Sequence, residues 1–383
     1  NSLRQGIGCP HKANLPNAGD LLSWAYRGII ALVNDNVRGR IGMKKHLFLA
    51  AGAFALAFGS TVAIAADKKV NFRLSYWVPP KHKLTPGYKE WGDYVKKNTG
   101  GTVTFTLFPS SQLGSGRDHY DMVKRGIADI GLINPGYTPG RFPVHGAIDL
   151  PFTVSDGLRG AKSMTRFYLK YAKKEMPDVK VCHVFSHEPG TFHAVKKITV
   201  PADVKGMKIR TANATIAAYV TSMGGNSVQV PIMEAFETLK RGITEGITVP
   251  WGSMITFSFG KVVKHHMNAN LYVASFVHTI NLKKYNSLSA AQKKVIDSTC
   301  TPEWAAKIYR HWYAQETGLR KKVEADKKHK VYKIGAKEIA LWRKAAEPVT
   351  KQWAEAVKKR GFDPAKVLAD LHAELKKDNA LVE

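Results

Sequence analysis

Apolar and polar residues alternate along Val70–Trp77, with Val70, Phe72 and Leu74 set against Asn71, Arg73 and Ser75, and alternate again along Val103–Phe108. This period of two marks strands with one buried face. Between them Trp91, Tyr94 and Val95 recur at helical spacing and stop at Gly100. The switch of period repeats downstream. Tyr120 and Val123 form a short helix ended by Gly126, followed by a buried strand over Ile127–Ile133. A helix over Gly157–Glu175, with Met164, Phe167, Tyr168 and Tyr171 on one side, leads to a strand over Val179–Phe185. Strand, helix and strand in this order build an α/β lobe.

Phe192–Val195 begins a crossing into a second lobe, where Met207–Arg210 reads as a short strand after a turn at Gly206. Asn213 or Thr215 caps a helix carrying Ile216, Tyr219, Val220 and Met223, which closes at Gly224-Gly225. Pro231 suits the first turn of the next helix, whose Phe236 and Leu239 pack inward. Further on, Ser289 and Gln292 make a capping box. Trp304, Ile308 and Trp312, four apart, start a long helix that runs past Leu319 to Val323. The tail, Pro364–Glu383, is helical with Val367, Leu368, Leu371 and Leu375 on one face; it either caps the fold or supports a homodimer.

One stretch departs from both periods. Met43-Lys44-Lys45-His46, an apolar run over Leu47–Ala57 and Ala63-Ile64-Ala65-Ala66 are the basic start, apolar middle and small-residue cleavage site of a secretory signal. The break at Gly59-Ser60-Thr61 argues against a membrane span, which needs about 20 apolar residues. Residues 43–66 are therefore expected to direct export to the periplasm, and residues 1–42 are left unassigned. Two cysteines then remain in the exported part, Cys182 in a strand and Cys300 at a helix end, and separate buried thiols are expected in preference to a bridge.

The 383 residues carry a formal charge of +28, and +23 remains once the seven basic and two acidic residues of 1–66 are removed. Such an excess fits nucleic acid, anionic membrane or small acidic ligands. Export and the scattering of the basic residues among acids exclude nucleic acid as a partner. Catalytic and metal patterns are missing as well. His193 lies five positions after Glu188 where a zinc-protease helix needs three, and the adjacent His265 and His266 point in different directions. Gly114-Ser115-Gly116 lacks the Lys of a phosphate loop. No enzyme activity, metal or cofactor is expected.

What remains is binding. Arg210 ends a strand before a helix, where open α/β sheets receive ligands, and a guanidinium offers a donor fork that matches a carboxylate. The run Lys205-Gly206-Met207-Lys208-Ile209-Arg210, with Pro231, Glu234, Leu239 and Gly242-Ile243-Thr244-Glu245-Gly246 after it, resembles the substrate-binding proteins of tripartite ATP-independent periplasmic (TRAP) transporters. So do Leu107-Phe108-Pro109-Ser110-Ser111-Gln112-Leu113-Gly114 and Ile148-Asp149-Leu150-Pro151-Phe152. The resemblance implies an α/β fold of two lobes with a hinge and a long helix across both. It places lobe I at 67–189 and 275–313 and lobe II at 190–274 and 314–383. It also implies Arg210 as the partner of a ligand carboxylate and separate membrane subunits that carry the ligand on.

Phe192 stands where many members have a second Arg, Val249 where an Asn is common and Ile232 where Phe is frequent. Loss of those donors predicts a more apolar pocket. Tyr76, Trp77, Phe192, Ile232, Val249 and Trp251 are its expected walls, with His82, Asn134 and His193 as additional polar contacts. The expected ligand is a monocarboxylate with an aromatic or other apolar body.

Overall fold

Two sheets divide the strands of the computed structural model, which describes residues 67–383, so that the expected signal segment and residues 1–42 lie outside it. The chain first builds β1 (Val70–Ser75), α1 (Leu84–Asn98), β2 (Val103–Phe108), α2 (His119–Arg125), β3 (Ile130–Ile133), α3 (Gly157–Glu175) and β4 (Val179–Ser186). It then crosses over. The second set comprises β5 (Thr191–Ala194), β6 (Lys208–Arg210), α4 (Ala214–Ser222), β7 (Asn226–Val228), α5 (Ala235–Lys240), β8 (Gly246–Val249), α6 (Ser253–Thr256) and β9 (His265–Asn268). A return passage gives β10 (Ser275–Asn281), α7 (Leu282–Asn286), α8 (Ala290–Thr299) and α9 (Pro302–Ala325). The chain ends with β11 (Lys330–Lys333), α10 (Ala336–Lys359) and α11 (Pro364–Lys377).

The first sheet has the order β2-β1-β3-β10-β4, and the second β11-β9-β5-β8-β6-β7. In the first, β1 runs parallel to β2 and β3, while the returning β10 is antiparallel to β3 and β4. In the second, β6 is parallel to β7 and β8, and β5 is antiparallel to β8 and β9. Each lobe thus owns a sheet, and β10 stitches the first one closed after the chain has visited the second. This is the two-lobed fold with a hinge.

Helix α9 ties the lobes together. Thr301 caps it by accepting the Trp304 N–H, Pro302 occupies its first turn, and Trp304, Ile308 and Trp312 are buried along one stripe. It packs on α1, α3 and β4 of the first lobe and on α6 of the second. Its approach to α1 is so close that a Cβ on Gly87 would lie 2.5 Å from the Ile308 carbonyl oxygen. At its far end Glu316 accepts the Gly252 N–H of the second lobe at 2.6 Å and the Trp312 Nε1–H at 3.0 Å.

Several local expectations change. Asn213, not Thr215, caps α4, through its side-chain oxygen and the Ile216 N–H at 2.9 Å. Pro231 precedes α5 instead of entering it, because the helix starts only at Ala235. In the apolar run before β3 only Ile130–Ile133 pairs, and Ile127 is exposed. The capping box at Ser289 and Gln292 forms in both directions, at 3.1 Å each.

The expectation of free thiols is overturned. Cys182 in β4 and Cys300 at the C-terminal cap of α8 are joined by a disulfide, with their Cα atoms 4.4 Å apart across 118 residues of sequence. The tail helix α11 lies on α3, although the sequence groups it with the second lobe. Val367, Leu371 and Leu375 are buried there, and Glu374 accepts from Arg166 and Lys170. Its apolar face is therefore spent within the chain and is not free for a second copy.

Candidate functional site

Arg210 is the last residue of β6, paired with Val228 of β7 on one side and Ile247 of β8 on the other. The strand ends at the seam between lobes, and there the side chain turns inward: Arg210 is only 1% exposed. Its Nε and Nη2 donate to the Val230 carbonyl at 3.1 and 2.9 Å, which fixes the plane of the fork. Nη2 also approaches the Tyr137 hydroxyl at 3.4 Å. Among the described residues Nη1 has no hydrogen-bond partner, and no carboxylate lies within ion-pair distance of the guanidinium. Burying a cation without a countercharge costs several kcal/mol, so this arrangement is that of a site prepared for an anion.

Tyr137 completes it from the first lobe. Its hydroxyl oxygen receives Arg210 Nη2–H and, at 3.1 Å, the Ile232 N–H. With both acceptances used, the hydroxyl's own proton is free to donate. A cation, a phenol and the cavity beside them meet in one recess.

That cavity takes in about 380 Å³ of atom-free space, its open mouth included. Trp77, Phe257, Phe276 and Trp312 form aromatic walls, with Phe276 5.4 Å from Trp77 and 5.6 Å from Trp312 between ring centres. Ile232, Val249 and Ala274 add aliphatic surface. The histidines here are uncharged. His82 is pushed down to about 3 by burial. His187 is lowered to about 4, first by burial and also by the charge of Arg210; it donates from Nδ1 to the Glu188 carbonyl at 2.6 Å and accepts the Ala274 N–H at Nε2 at 3.0 Å. Arg210 is thus the single full charge on the cavity wall at neutral pH.

Of the ten residues expected from sequence, the structure brings Arg210, Trp77, His82, Asn134, Ile232 and Val249 to this cavity. The other four point elsewhere. Tyr76 lies on the opposite side of its strand end, packed edge-on to Tyr88 with its hydroxyl bound to Thr85 at 3.0 Å. Phe192 lies against Trp342 of α10 in the second-lobe core, because successive residues of β5 face opposite ways. His193 is engaged at both nitrogens, by His266 at 2.8 Å and the Val249 carbonyl at 3.2 Å. Trp251 turns away toward His193, with Arg320 over its ring at 5.0 Å.

Sequence reasoning missed Tyr137, His187, Phe257, Phe276 and Trp312. Trp312 carried a signal, its place on the long helix that crosses the lobes, but it was read as core. Tyr137 sits three residues from Asn134 and carried none of its own.

The sequence model of the bacterial extracellular solute-binding proteins, family 7, matches residues 74–356. The chain belongs to that family. Among its solved relatives, a TRAP solute-binding protein from Rhodoferax ferrireducens T118, in complex with copurified benzoate, is 28% identical and superposes with a TM-score of 0.76 over 81% of this chain and 99% of that one. A marine-metagenome TRAP solute-binding protein described as specific for aromatic acid ligands, with 3-hydroxybenzoate bound, is 27% identical at the same TM-score, over 82% of this chain and 99% of its own. The 2,3-diketo-L-gulonate-binding periplasmic protein YiaO of Escherichia coli is 26% identical over 255 residues, 64% of this chain and 75% of its own length.

Proposed function

We propose that this family 7 protein binds one aromatic monocarboxylate between its lobes in the periplasm and hands it to the membrane subunits of a TRAP transporter. The carboxylate meets Arg210 Nη1–H and the Tyr137 hydroxyl. The ring lies among Trp77, Phe257, Phe276 and Trp312. The observation that carries this reading is a buried arginine with no acidic partner among the described residues, alone in charge among the cavity's described lining residues, four of which are the aromatic Trp77, Phe257, Phe276 and Trp312.

One cation favours one carboxylate. A second would be desolvated beside neutral histidines, at a cost of several kcal/mol, and the cavity has little polar lining to receive the hydroxyls of a sugar acid. The aromatic acids held by the two solved relatives point the same way. The disulfide is at home in an oxidising compartment. Binding without turnover is the expected activity, so the bound acid should be recovered unchanged.

A thermal-shift screen of carboxylic acids tests the reading. A ligand at 100 times its Kd adds about 2.7 kcal/mol of stability. Benzoate and its hydroxylated forms are expected to raise Tm, and succinate and glucuronate to leave it alone; the reverse order would overturn the proposal.

A further inference from the structure

His82 is one of the polar groups lining the cavity that this reading leaves unused. It stands on the loop after β1, edge-on to Trp312 at 4.8 Å and tilted against Phe257 at 6.5 Å. The Leu84 N–H donates to Nδ1 at 3.2 Å, so Nδ1 is the acceptor and the proton of the neutral ring sits on Nε2. Nε2 has no partner among the described residues and is not among the fully buried unpartnered atoms, so it stays accessible to a molecule in the cavity. His82 packs on Trp312 and Phe257, whereas Arg210 is held by the Val230 carbonyl and Tyr137, so the two meet a ligand through different walls of the cavity.

We infer that His82 Nε2–H receives an uncharged acceptor oxygen, a hydroxyl, methoxy or oxo group, carried by the ring of the bound acid away from its carboxylate. The inference rests on the carboxylate meeting Arg210. An unsubstituted ring would leave the N–H unmet, and an amino group would set donor against donor. A second carboxylate would find no countercharge. His82 therefore selects oxygenated aromatic acids over plain ones.

Calorimetry with benzoate, 3-hydroxybenzoate, 4-hydroxybenzoate and 4-aminobenzoate decides between these. The wild-type protein is expected to hold the better hydroxybenzoate about fivefold or more tighter than benzoate, the worth of one neutral hydrogen bond, and to gain nothing from the amine. His82→Phe keeps the aromatic packing and should lose the preference, read as the ratio of hydroxybenzoate to benzoate affinity within the same variant. His82→Gln keeps an N–H donor and should restore part of it, which a purely structural role would not do. Equal wild-type affinity for benzoate and both hydroxybenzoates overturns the inference with no variant needed, and so does a preference that survives in His82→Phe. Binding of succinate or glucuronate with none of the aromatic acids overturns the underlying reading instead, and the two failures are distinct.

Discussion

Arg210→Met removes the charge and keeps much of the volume. In the liganded protein it leaves a desolvated carboxylate opposite a thioether, and loss of one partner of a buried charged pair costs about 3–5 kcal/mol. At 1.4 kcal/mol per tenfold, Kd should rise roughly 150- to 5,000-fold. The unliganded protein behaves differently. There the substitution relieves an unpaired buried cation, worth about 1–4 kcal/mol, while the Val230 carbonyl and the Tyr137 hydroxyl lose donors worth about 1 kcal/mol each. These nearly cancel, so the unliganded Tm should stay within about 3 °C of wild type, at ~2–4 °C per kcal/mol. Paired calorimetry and thermal melts separate the two states. Affinity for benzoate within tenfold of wild type would refute the carboxylate role. So would an unliganded variant that melts more than about 10 °C early, since Arg210 would then be a structural residue.

Two further outcomes follow from the described structure. Reduction of the Cys182–Cys300 bridge, or its replacement by Ala at both positions, should lower stability by about 2–4 kcal/mol in denaturant titrations, given the long loop it closes, with the native-state binding site intact. Acid should also destabilise the fold. Burial lowers His82, His145 and His193 to about 3, His183 and His187 to about 4 and His266 to about 2, so below pH 6.5 the unfolded chain takes protons that the folded one refuses. Asp149, Glu175, Glu188 and Glu316, raised to about 7 by burial, oppose this, because between pH 4.5 and 7 the folded state holds protons there that the unfolded state has lost. The lowered histidines outnumber the raised carboxyls, so stability is expected to fall as pH drops from 6.5 toward 4.5. Denaturation at fixed pH steps checks it, and stability that is flat or rising toward pH 5 would contradict it.

Arg210 was legible in sequence because its position is a matter of chain order: a strand end before a capped helix. Ile232 and Val249 came instead from positions matched to the family, and both line the same cavity. Which of two neighbouring aromatics enters a cavity is not local. Tyr76 and Trp77 are consecutive residues leaving β1, and only the α1 surface behind them decides that Tyr76 packs on Tyr88 while Trp77 meets Phe276. Phe192 was chosen by alignment to a polar position, yet the pleat of β5 turns it into the core. The far walls escaped notice for a related reason. Phe257, Phe276 and Trp312 come from the two return passages between lobes, which no periodicity relates to β6. The disulfide is the clearest case, since Cys182 and Cys300 meet only because β10 inserts beside β4 and carries α8 back with it.

The seam itself explains how an acid could govern closure. Contacts between the lobes include Asn213 Nδ2 donating to Asp149 at 2.9 Å, Asn134 Nδ2 to the Ala212 carbonyl at 3.4 Å, the Ile232 N–H to Tyr137, the Arg117 guanidinium to the Gln229 carbonyl and the Gly252 N–H to Glu316. Gly136 lets them meet, because a Cβ there would lie 2.4 Å from the Asn213 Cβ. Each such bond contributes about 1 kcal/mol net, whereas shutting Arg210 away unpaired costs several. The penalty on Arg210 opposes these contacts and weakens the closed form of the unliganded protein. A carboxylate between Arg210 and Tyr137 removes the penalty, and a buried ring adds about 1.5–3 kcal/mol. Together these approach the ~5.5 kcal/mol needed to turn a mostly open population into a mostly closed one. On the proposed reading, the residue that recognises the ligand is therefore the one that keeps the empty cleft from closing.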